Sequence, residues 1–339
     1  MVSIIVIIFL FSFPTIVLSQ PNFNFTKVDL PSTSVGPESI TFDSKYGEEP
    51  YYTGISDGRI IKYDGANGFV DYAFTVPNRS KEECDGIGIN RPDLGPTCGR
   101  PMGIGFNLNT KQLYVADAYK GFLVVGPNGG LATTIASAVE GVPFKLPTGL
   151  DVDQSNGVVY FTDASSQYSQ SQIQVAIDAG DATGRLLKYD PNTQQVTVLL
   201  KDLSGAGGTS VSTDGSFVLV SEFIAQRIQK FWLTGPKALT SEVLITFQGR
   251  PVNIKKTLLG DFWVAVNMKS NTTTNGSSSA TATLNMVPIG IKINATGNIL
   301  RTVVLTEFYG NVNITDFQQR NRQFYVGSLW TDFLGRLSI

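Results

Sequence analysis

Short runs of alternating apolar and polar residues recur along the chain, separated by glycine, aspartate, asparagine and proline. A period of two is typical of β-strands that bury one face. No stretch sustains the 3.6-residue period of an amphipathic helix, and the best helical candidate is the short segment Ser171–Ala179. The pattern predicts an all-β fold with strands at Ser39–Phe42, Arg59–Tyr63, Gln112–Ala116, Gly121–Val125, Val158–Thr162, Arg185–Tyr189, Val196–Leu200, Phe217–Glu222, Gln229–Leu233, Asp261–Val266, Gly290–Ile293, Gln323–Ser328 and Gly335–Leu337.

These strands belong to a repeat. A proline or glycine, followed by a polar residue and a strand, recurs about every 44 to 64 residues, which is the spacing of four-stranded propeller blades with loop insertions. Six such openings predict a six-bladed β-propeller, whose N-terminal and C-terminal segments together complete one blade. Two β-sandwich domains are the alternative, but the regular spacing and the lack of a polar linker argue against them. The openings lie at Pro37, Pro101, Pro147, Gly207, Pro251 and, in weaker form, Ile314.

Composition and charge narrow the possible partners. Apolar residues make up 42% of the chain and charged residues 16%, and the formal net charge is −2 from 26 basic and 28 acidic residues. Because the basic residues are scattered, no basic stripe is available to bind nucleic acid or an anionic membrane. We therefore expect a monomer that takes a small-molecule ligand or substrate and binds no nucleic acid.

The chain contains no histidine. This excludes a Ser–His–Asp triad, a Cys–His pair and every metal site that needs imidazole. The only two cysteines, Cys84 and Cys98, are too few for a thiolate metal site. We predict that they form a disulfide that closes a short loop. A catalytic thiol is the alternative, but no histidine is present to activate it.

The N-terminus has the features of a secretory leader. Residues 4–13 form an apolar run with a single serine, Pro14 ends it, and Val17 and Ser19 precede a cleavage site before Gln20. Because this run is too short to span a bilayer, residues 1–19 are predicted to be a signal peptide. Residues 20–339 are then a single mature domain without a membrane span. The oxidising secretory compartment also permits the disulfide.

Six Asn-x-Ser/Thr sequons support a secretory protein, since this motif is the acceptor for N-glycosylation. Two of them lie in a segment rich in serine and threonine, residues 271–283, which is predicted to be an exposed glycosylated loop. The six sequons are Asn24, Asn78, Asn271, Asn275, Asn294 and Asn313.

Several longer segments carry more specific motifs. They are Gln112-Leu-Tyr-Val-Ala-Asp-Ala-Tyr, Glu140-Gly-Val-Pro-Phe-Lys, Asp151-Val-Asp-Gln-Ser-Asn-Gly-Val-Val-Tyr-Phe-Thr-Asp, Thr183-Gly-Arg-Leu-Leu-Lys-Tyr-Asp-Pro, Ser216-Phe-Val-Leu-Val-Ser-Glu-Phe, Gly327-Ser-Leu and Cys98-Gly-Arg. In this order and spacing they resemble the plant strictosidine synthase family, whose fold is a six-bladed β-propeller. The resemblance implies a plant glycoprotein of alkaloid biosynthesis. Its expected compartment is the vacuole, with the extracellular space as the alternative.

Strictosidine synthase condenses tryptamine with the aldehyde secologanin in a Pictet–Spengler reaction, and a glutamate shortly before the last strong strand moves the protons. Gln323-Phe-Tyr-Val-Gly resembles that strand, and counting back from it places Thr315 at the glutamate position. The neighbouring Asp316 faces the opposite side of a strand, and Glu307 would need a gap to serve. Because a threonine hydroxyl is no base near neutral pH, the resemblance predicts that the standard reaction is lost.

The substrate pocket that the resemblance implies is altered too. Phe223 is the pocket position that keeps an aromatic side chain. The other positions carry polar or aliphatic side chains in place of histidine or a large aromatic residue: Asn313 and Thr283 near the two histidines, and Met102, Leu146 and Thr148 for tyrosine, tryptophan and tyrosine.

Propellers of the paraoxonase and lactonase type suggest a second chemistry, because they hold calcium at the mouth of the central channel with oxygen atoms from the blade openings. Glu38 and Asn253 match such positions, whereas Thr148 and the glycine of the next opening stand where a ligand asparagine would be expected. Calcium takes six to eight oxygen ligands, so the set is complete only if a further carboxylate such as Asp151 or Glu222 reaches it. The alternative is that the carboxylate of Glu38 pairs with backbone donors or an arginine.

Three strands end in a carboxylate that can face the channel of a propeller: Asp117, Asp163 and Glu222. Burial there would raise the carboxylate pKa toward the range used in acid–base catalysis. The alternative is that these side chains cap strand ends. Glu222, Glu307 and Asp316 are therefore the candidate catalytic carboxylates.

Three hypotheses about function stay open at this point. The chain is an enzyme that acts on a small alkaloid-like or terpenoid-like molecule by an altered chemistry, a calcium-assisted esterase or lactonase, or a propeller that binds a ligand without turnover. The acidic strand ends favour the first, and the loss of both known sets of site residues favours the third. No resident cofactor is expected except the calcium ion of the second hypothesis.

Overall fold

Six antiparallel sheets form a ring in the computed structural model, which describes residues 22–88, 90–270 and 286–338. The architecture confirms the prediction of an all-β, six-bladed β-propeller. The predicted signal peptide and the predicted loop 271–283, with Asn271, Asn275 and Thr283, lie outside the described residues.

The strands are numbered in chain order. Those of the first half are β1 (Asn24–Asp29), β2 (Ile40–Phe42), β3 (Tyr51–Gly54), β4 (Arg59–Tyr63), β5 (Phe69–Phe74), β6 (Pro101–Phe106), β7 (Leu113–Asp117), β8 (Gly121–Val125), β9 (Gly130–Leu131), β10 (Thr133–Ala136), β11 (Ala138–Val139), β12 (Val142–Pro143), β13 (Pro147–Val152) and β14 (Val159–Asp163). Those of the second half are β15 (Gly184–Asp190), β16 (Gln195–Leu203), β17 (Ala206–Val211), β18 (Phe217–Glu222), β19 (Arg227–Trp232), β20 (Ser241–Thr246), β21 (Gly249–Lys256), β22 (Phe262–Lys269), β23 (Met286–Ile293), β24 (Ile299–Val304), β25 (Asp316–Arg320), β26 (Gln323–Gly327) and β27 (Phe333–Ser338).

Helices are short and lie in the connections between strands. They are α1 (Lys81–Cys84), α2 (Gly95–Cys98), α3 (Ile173–Asp178) and α4 (Thr306–Tyr309), with 3-10 turns at Pro92–Leu94 and Gln170–Gln172. None of the helices in the described ranges has the length and apolar character that crossing a membrane requires.

Each blade is a sheet, and the strand of it that lies nearest the central channel is called the inner strand. The inner strands are β2, β6, β13, β17, β21 and β25, and they pack against one another around the channel. Blade 1 contains β2 to β5 with β9 added at its outer edge, blade 2 contains β6, β7, β8 and β10, and blade 3 contains β13 to β16. Blade 4 contains β17 to β20, blade 5 contains β21 to β24, and blade 6 contains β25 to β27 with β1.

Blade 6 closes the ring with both ends of the chain. Strand β1 pairs antiparallel with β27, so that Phe25 lies opposite Leu337. This pairing confirms the predicted closure and leaves the outer edge of blade 6 to the N-terminal segment. Propellers protect their sheet edges by such circular repetition.

The hydrophobic core is divided among the blade interfaces. Because successive side chains of a strand point to opposite faces, the second strand of a blade serves both neighbouring interfaces. In β22, Trp263 packs toward blade 6, whereas Phe262 and Val264 pack toward blade 4. A cluster of buried apolar side chains lies between each pair of adjacent blades.

Glycine allows the inner strands to approach one another closely. A Cβ atom on Gly103 would lie 2.1 Å from the carbonyl oxygen of Thr148, and one on Gly149 would lie 2.3 Å from that of Gly207. Any other residue at these positions would push the inner strands apart. In blades 2 and 3, glycine at the third position of the repeat therefore permits the close approach of adjacent inner strands.

The predicted disulfide between Cys84 and Cys98 is present, with the two Cα atoms 5.5 Å apart. It closes the long connection between blades 1 and 2. A buried charge cluster holds the beginning of this connection to blade 1: Arg79 and Arg59 both contact the carboxylate of Asp57. The disulfide thus cross-links the connection internally, and the charge cluster attaches its beginning to blade 1.

Candidate functional site

The channel has two chemically different ends. Its N-terminal end is where the inner strands begin, and its C-terminal end is where they finish. Among the predicted site residues at the blade openings, Glu38 and Thr315 lie just before an inner strand, Thr148 is the second residue of β13, and Asn253 lies in the middle of β21. The N-terminal end is therefore the candidate site.

An apolar cluster lies at this end. Met102, Leu146 and Leu329 are at most 8% exposed, and the half-buried Phe223 packs against them. The structure thus brings together three of the predicted pocket residues from blades 2, 3 and 4. The remaining members are Ala118, Ala164, Tyr119 and Ile173. The side-chain amide of Gln170 lies 3.7 Å from the sulfur of Met102, so the connection that contains α3 borders the cluster.

A polar group lies in the channel at the same end. The hydroxyl of Thr315 donates to the backbone carbonyl of Glu38 at 2.8 Å. The amide of Asn253 lies 3.4 Å from both carboxylate oxygens of Glu38, and its backbone N–H donates to the carbonyl of Thr315. Glu38, Asn253 and Thr315 come from blade 1, blade 5 and the start of blade 6, and the fold brings them into contact. The hydroxyl of Thr315 is therefore already engaged.

Glu38 is a buried carboxyl group at this end and is 4% exposed. Burial raises its pKa well above 4.5, and the nearby Asp316 raises it further, while Asn253 and Lys255 oppose the shift. Asp316 accepts the backbone N–H of Ile40 at 2.7 Å and pairs with Lys255 at 3.2 Å. Burial raises the pKa of Asp316 as well, against the effect of Lys255. Two carboxyl groups and one lysine therefore share the interior of the channel.

Replacing Glu38 by glutamine is expected to stabilise the protein at neutral pH. Because folding raises the pKa of this group, its ionisation costs stability as the pH rises above the unfolded value of 4.5, and glutamine does not ionise. Below that pH the two proteins should be equally stable. Chemical denaturation at neutral and acidic pH measures the difference. Glu307→Gln, an exposed carboxylate, is the control, and an equal gain there would contradict the assignment to burial.

The carboxylates at strand ends bond to the backbone of their own blades. Glu222 accepts the N–H of Ser204 at 2.8 Å and forms two bonds with the guanidinium of Arg227. Asp163 pairs with Arg185 at 2.6 Å and also accepts two backbone N–H groups. Asp117 accepts the N–H of Arg100 at 2.8 Å and the hydroxyl of Thr75. Their acceptor capacity is used to hold the start of an inner strand beside the end of its neighbour.

The remaining predicted residues are dispersed. Glu307 is exposed on α4, away from the buried start of β25. The hydroxyl of Thr148 bonds to Thr162 and to the carbonyl of Ala206. Asn313 is half-buried beside Thr315, and its side-chain oxygen is buried without a hydrogen-bond partner.

The oxygen ligands at this end do not fit calcium. Glu38 supplies the carboxylate and Asn253 an amide, while the hydroxyls of Thr148 and Thr315 are bonded to backbone carbonyls. Asp151 lies toward the end of its inner strand, where it accepts from Ser210 and Val211, and Glu222 is paired with Arg227. Within the described ranges no three histidine, cysteine, aspartate or glutamate side chains are placed to hold a metal ion. Calcium takes six to eight oxygen ligands, which these residues do not supply.

Sequence reasoning missed four residues of this site. Leu329 belongs to the Gly327-Ser-Leu motif but was not recognised as part of the apolar cluster. Tyr119 follows the strand β7 and Ile173 begins α3, and neither connection carries a repeat signal. Lys255 lies in the second half of β21, where its position opposite Asp316 depends on the blade packing. Only the motif could have indicated Leu329.

Comparison with known sequences identifies close relatives. The family described as strictosidine synthase matches residues 148–236. The chain is 42% identical to protein strictosidine synthase-like 12 of Arabidopsis thaliana over 340 residues, which cover 99% of this chain and 96% of the relative. It is 39% identical to strictosidine synthase of Catharanthus roseus over 314 residues, 92% of this chain and 86% of that protein.

Solved structures resemble the fold at low sequence identity. A gluconolactonase from Xanthomonas campestris superposes with a TM-score of 0.61 and 13% identity, covering 93% of this chain and 89% of that one. A luciferin-regenerating enzyme gives a TM-score of 0.59 at 13% identity, covering 94% and 96%. At this identity the likeness extends to the propeller architecture alone.

Proposed function

Because the chain belongs to the strictosidine synthase family, we propose that it binds a small, largely apolar molecule of alkaloid-like or terpenoid-like chemistry at the N-terminal end of its channel. In this proposal the protein does not carry out the Pictet–Spengler condensation. It acts as a binding propeller, or as an enzyme whose proton transfers use a different group.

Two features of the N-terminal end together carry the proposal. One is the apolar cluster, and the other is the threonine at the position where the family has its glutamate. The half-buried Phe223 offers contact to an apolar ligand, and the buried Met102 and Leu146 pack against it. The hydroxyl of Thr315 is held by the carbonyl of Glu38 and cannot take a proton from an amine. The site thus retains the means to bind and lacks the family's proton-transfer group.

Ligand binding is tested by a thermal-shift screen of amines, aldehydes and lactones, followed by calorimetry on any compound that stabilises the protein. Phe223→Ala should weaken the binding of such a compound about tenfold, since it removes apolar contact area from the cluster. Phe308→Ala removes a half-buried phenyl ring of α4 that stacks on Phe25 of blade 6, and it should leave affinity unchanged. Equal losses in both variants, or no stabilising compound, would contradict the proposal. Consumption of the ligand, followed by mass spectrometry, separates an enzyme from a binding protein.

Ester or lactone hydrolysis is the second candidate, and it depends on Glu38. A buried carboxyl whose pKa is raised by burial is suited to hold a proton and deliver it to a leaving group. This candidate uses no metal. If hydrolysis depends on Glu38, the Glu38→Gln variant should no longer hydrolyse the ester or lactone. It should still bind that compound with the affinity of the wild-type protein.

We also propose that the protein enters the secretory pathway and is glycosylated, with the vacuole as its compartment and the extracellular space as the alternative. The disulfide supports an oxidising compartment. Asn24 and Asn78 are exposed and accessible to a glycan.

A further inference from the structure

A cavity of about 650 Å³ lies at the C-terminal end of the channel, opposite the candidate site. The last residues of all six inner strands contribute to its wall, together with the turns that follow them. Its base is apolar and includes Ile40, Ile104, Leu150 and Ile254, each at most 6% exposed. The cavity therefore has room for a small organic molecule and an apolar surface to receive part of it.

The charges around this cavity are mainly positive. Five cationic side chains line it, Lys45, Lys255, Lys256, Lys292 and Arg320, against two carboxylates, Asp151 and Asp153. Pairing accounts for part of this excess, since Lys255 contacts Asp316 and Lys292 contacts Asp261.

The two carboxylates of the wall are turned to their own strands and turns. Asp151 accepts from Ser210 and from a backbone N–H, and Asp153 accepts from Ser155 and Asn156. Two lysines, in contrast, form no ion pair within the described ranges: Lys256 donates to the carbonyl of Val211, and Lys45 lies near the ring of Tyr46. Their charges are not compensated by a neighbouring carboxylate.

Polar atoms on the wall are left without partners. The side-chain oxygen of Gln318, the hydroxyl of Thr257 and the Nε of Arg320 are buried and form no hydrogen bond. All three residues line the cavity. The guanidinium of Arg320 lies 4.3 Å above the ring of Phe42, which places a cation directly over the apolar base. Buried polar atoms normally have partners, so a ligand or ordered water is expected to satisfy these.

We propose that this cavity binds an organic anion with an apolar body, such as an alkyl carboxylate, whose head group contacts Lys45 and Lys256 and whose chain rests on the apolar base. The site is separate from the candidate site at the N-terminal end, so it does not depend on the proposed function. Electrostatic attraction selects the charge of the head group, and the apolar base supplies the contact area.

Calorimetry with three matched ligands tests the proposal: octanoate, octylamine and octanol. Octanoate should bind more tightly than the other two, because they share its chain but not its charge. The double variant with Lys45→Gln and Lys256→Gln should weaken octanoate binding about tenfold, since it removes two cations from the cavity. Lys201→Gln removes an exposed lysine from the outer strand β16 and should change nothing.

Phe223→Ala locates the binding. If octanoate occupies the C-terminal cavity, this variant at the other end binds it as well as the wild-type protein does. Loss of binding in Phe223→Ala, equal affinity for octanoate and octanol, or an unaffected double variant would each overturn the proposal. Thermal unfolding of every variant verifies that it is folded.

Discussion

Incubated with tryptamine and secologanin, the purified protein is expected to form no appreciable strictosidine. The loss of a positioned acid–base group costs about 10²–10⁴-fold in rate, and the hydroxyl of Thr315 is too weak an acid and too weak a base to replace it near neutral pH. The apolar cluster also offers aliphatic side chains at Met102 and Leu146. Liquid chromatography with mass spectrometry detects the product, and the strictosidine synthase of Catharanthus roseus, assayed in parallel, is the positive control.

Thr315→Glu is expected to restore little of this activity. The new carboxylate would be buried beside Glu38 and Asp316, both of which already have raised pKa values. Because neighbouring carboxylates repel a further negative charge, the new glutamate at position 315 would stay protonated. A protonated carboxyl group is not the base that the reaction needs. Thr315→Gln, equal in size and uncharged, shows whether a larger side chain is tolerated there. Robust turnover by the wild-type protein, lost on changing Glu307 or Asp316, would show that the glutamate position was wrongly assigned.

Replacing Asp57 by alanine is expected to lower the free energy of unfolding by about 3–5 kcal/mol, the usual cost of breaking a buried ion pair. The carboxylate of Asp57 is 1% exposed and contacts Arg59 at 2.5 Å and Arg79 at 3.6 Å. It also accepts the N–H of Gly86, close to the disulfide. Its loss leaves two arginines with less compensation and weakens the attachment of the connection to blade 1, although Arg79 still donates to the backbone carbonyl of residue 57. Urea denaturation measures the stability, and limited proteolysis reports the release of the connection.

The control for this prediction is Asp93→Ala. Asp93 pairs with Arg91 at 2.8 Å, but both side chains are more than half exposed. Such surface pairs contribute at most about 1 kcal/mol. A similar loss of stability in both variants would mean that burial does not determine the contribution of Asp57. Preserved stability in Asp57→Ala would mean that the remaining carboxylates, Asp71 and Asp85, compensate both arginines.

The blade repeat could be predicted because its signals, the alternation of apolar and polar residues and the turn residues between strands, lie within short segments of the sequence. Arg59–Tyr63, Gly121–Val125 and Phe217–Glu222 have the bounds that the alternation predicted, since each lies between clear turn signals. The short helices α1 and α2 were not predicted. A helix of four residues is a single turn, which is too short to display a period. The predicted helix Ser171–Ala179 begins later, at Ile173, because a 3-10 turn precedes it.

The candidate site was predicted in part for the same reason. Glu38, Asn253 and Thr315 each lie within two residues of a repeat opening, at Pro37, Pro251 and Ile314, so circular closure alone brings them to one end of the channel. Which of their atoms pair could not be predicted, because the contact between Thr315 and Glu38 joins residues 277 positions apart. The cavity at the C-terminal end escaped prediction altogether. Its cations lie in strand ends and turns that share no motif.

The pairing of β1 with β27 has a consequence for synthesis of the protein. At about 5–20 residues per second, β1 leaves the ribosome roughly 15–60 s before its partner exists. Throughout that time β1 has no partner strand, and its apolar side chains Phe25 and Val28 can contact other chains. Lys27 and Asp29 place charges of both signs within the same six residues. Such charges disfavour pairing with strands of other chains. They therefore reduce the risk that β1 aggregates before β27 is synthesised and the ring closes.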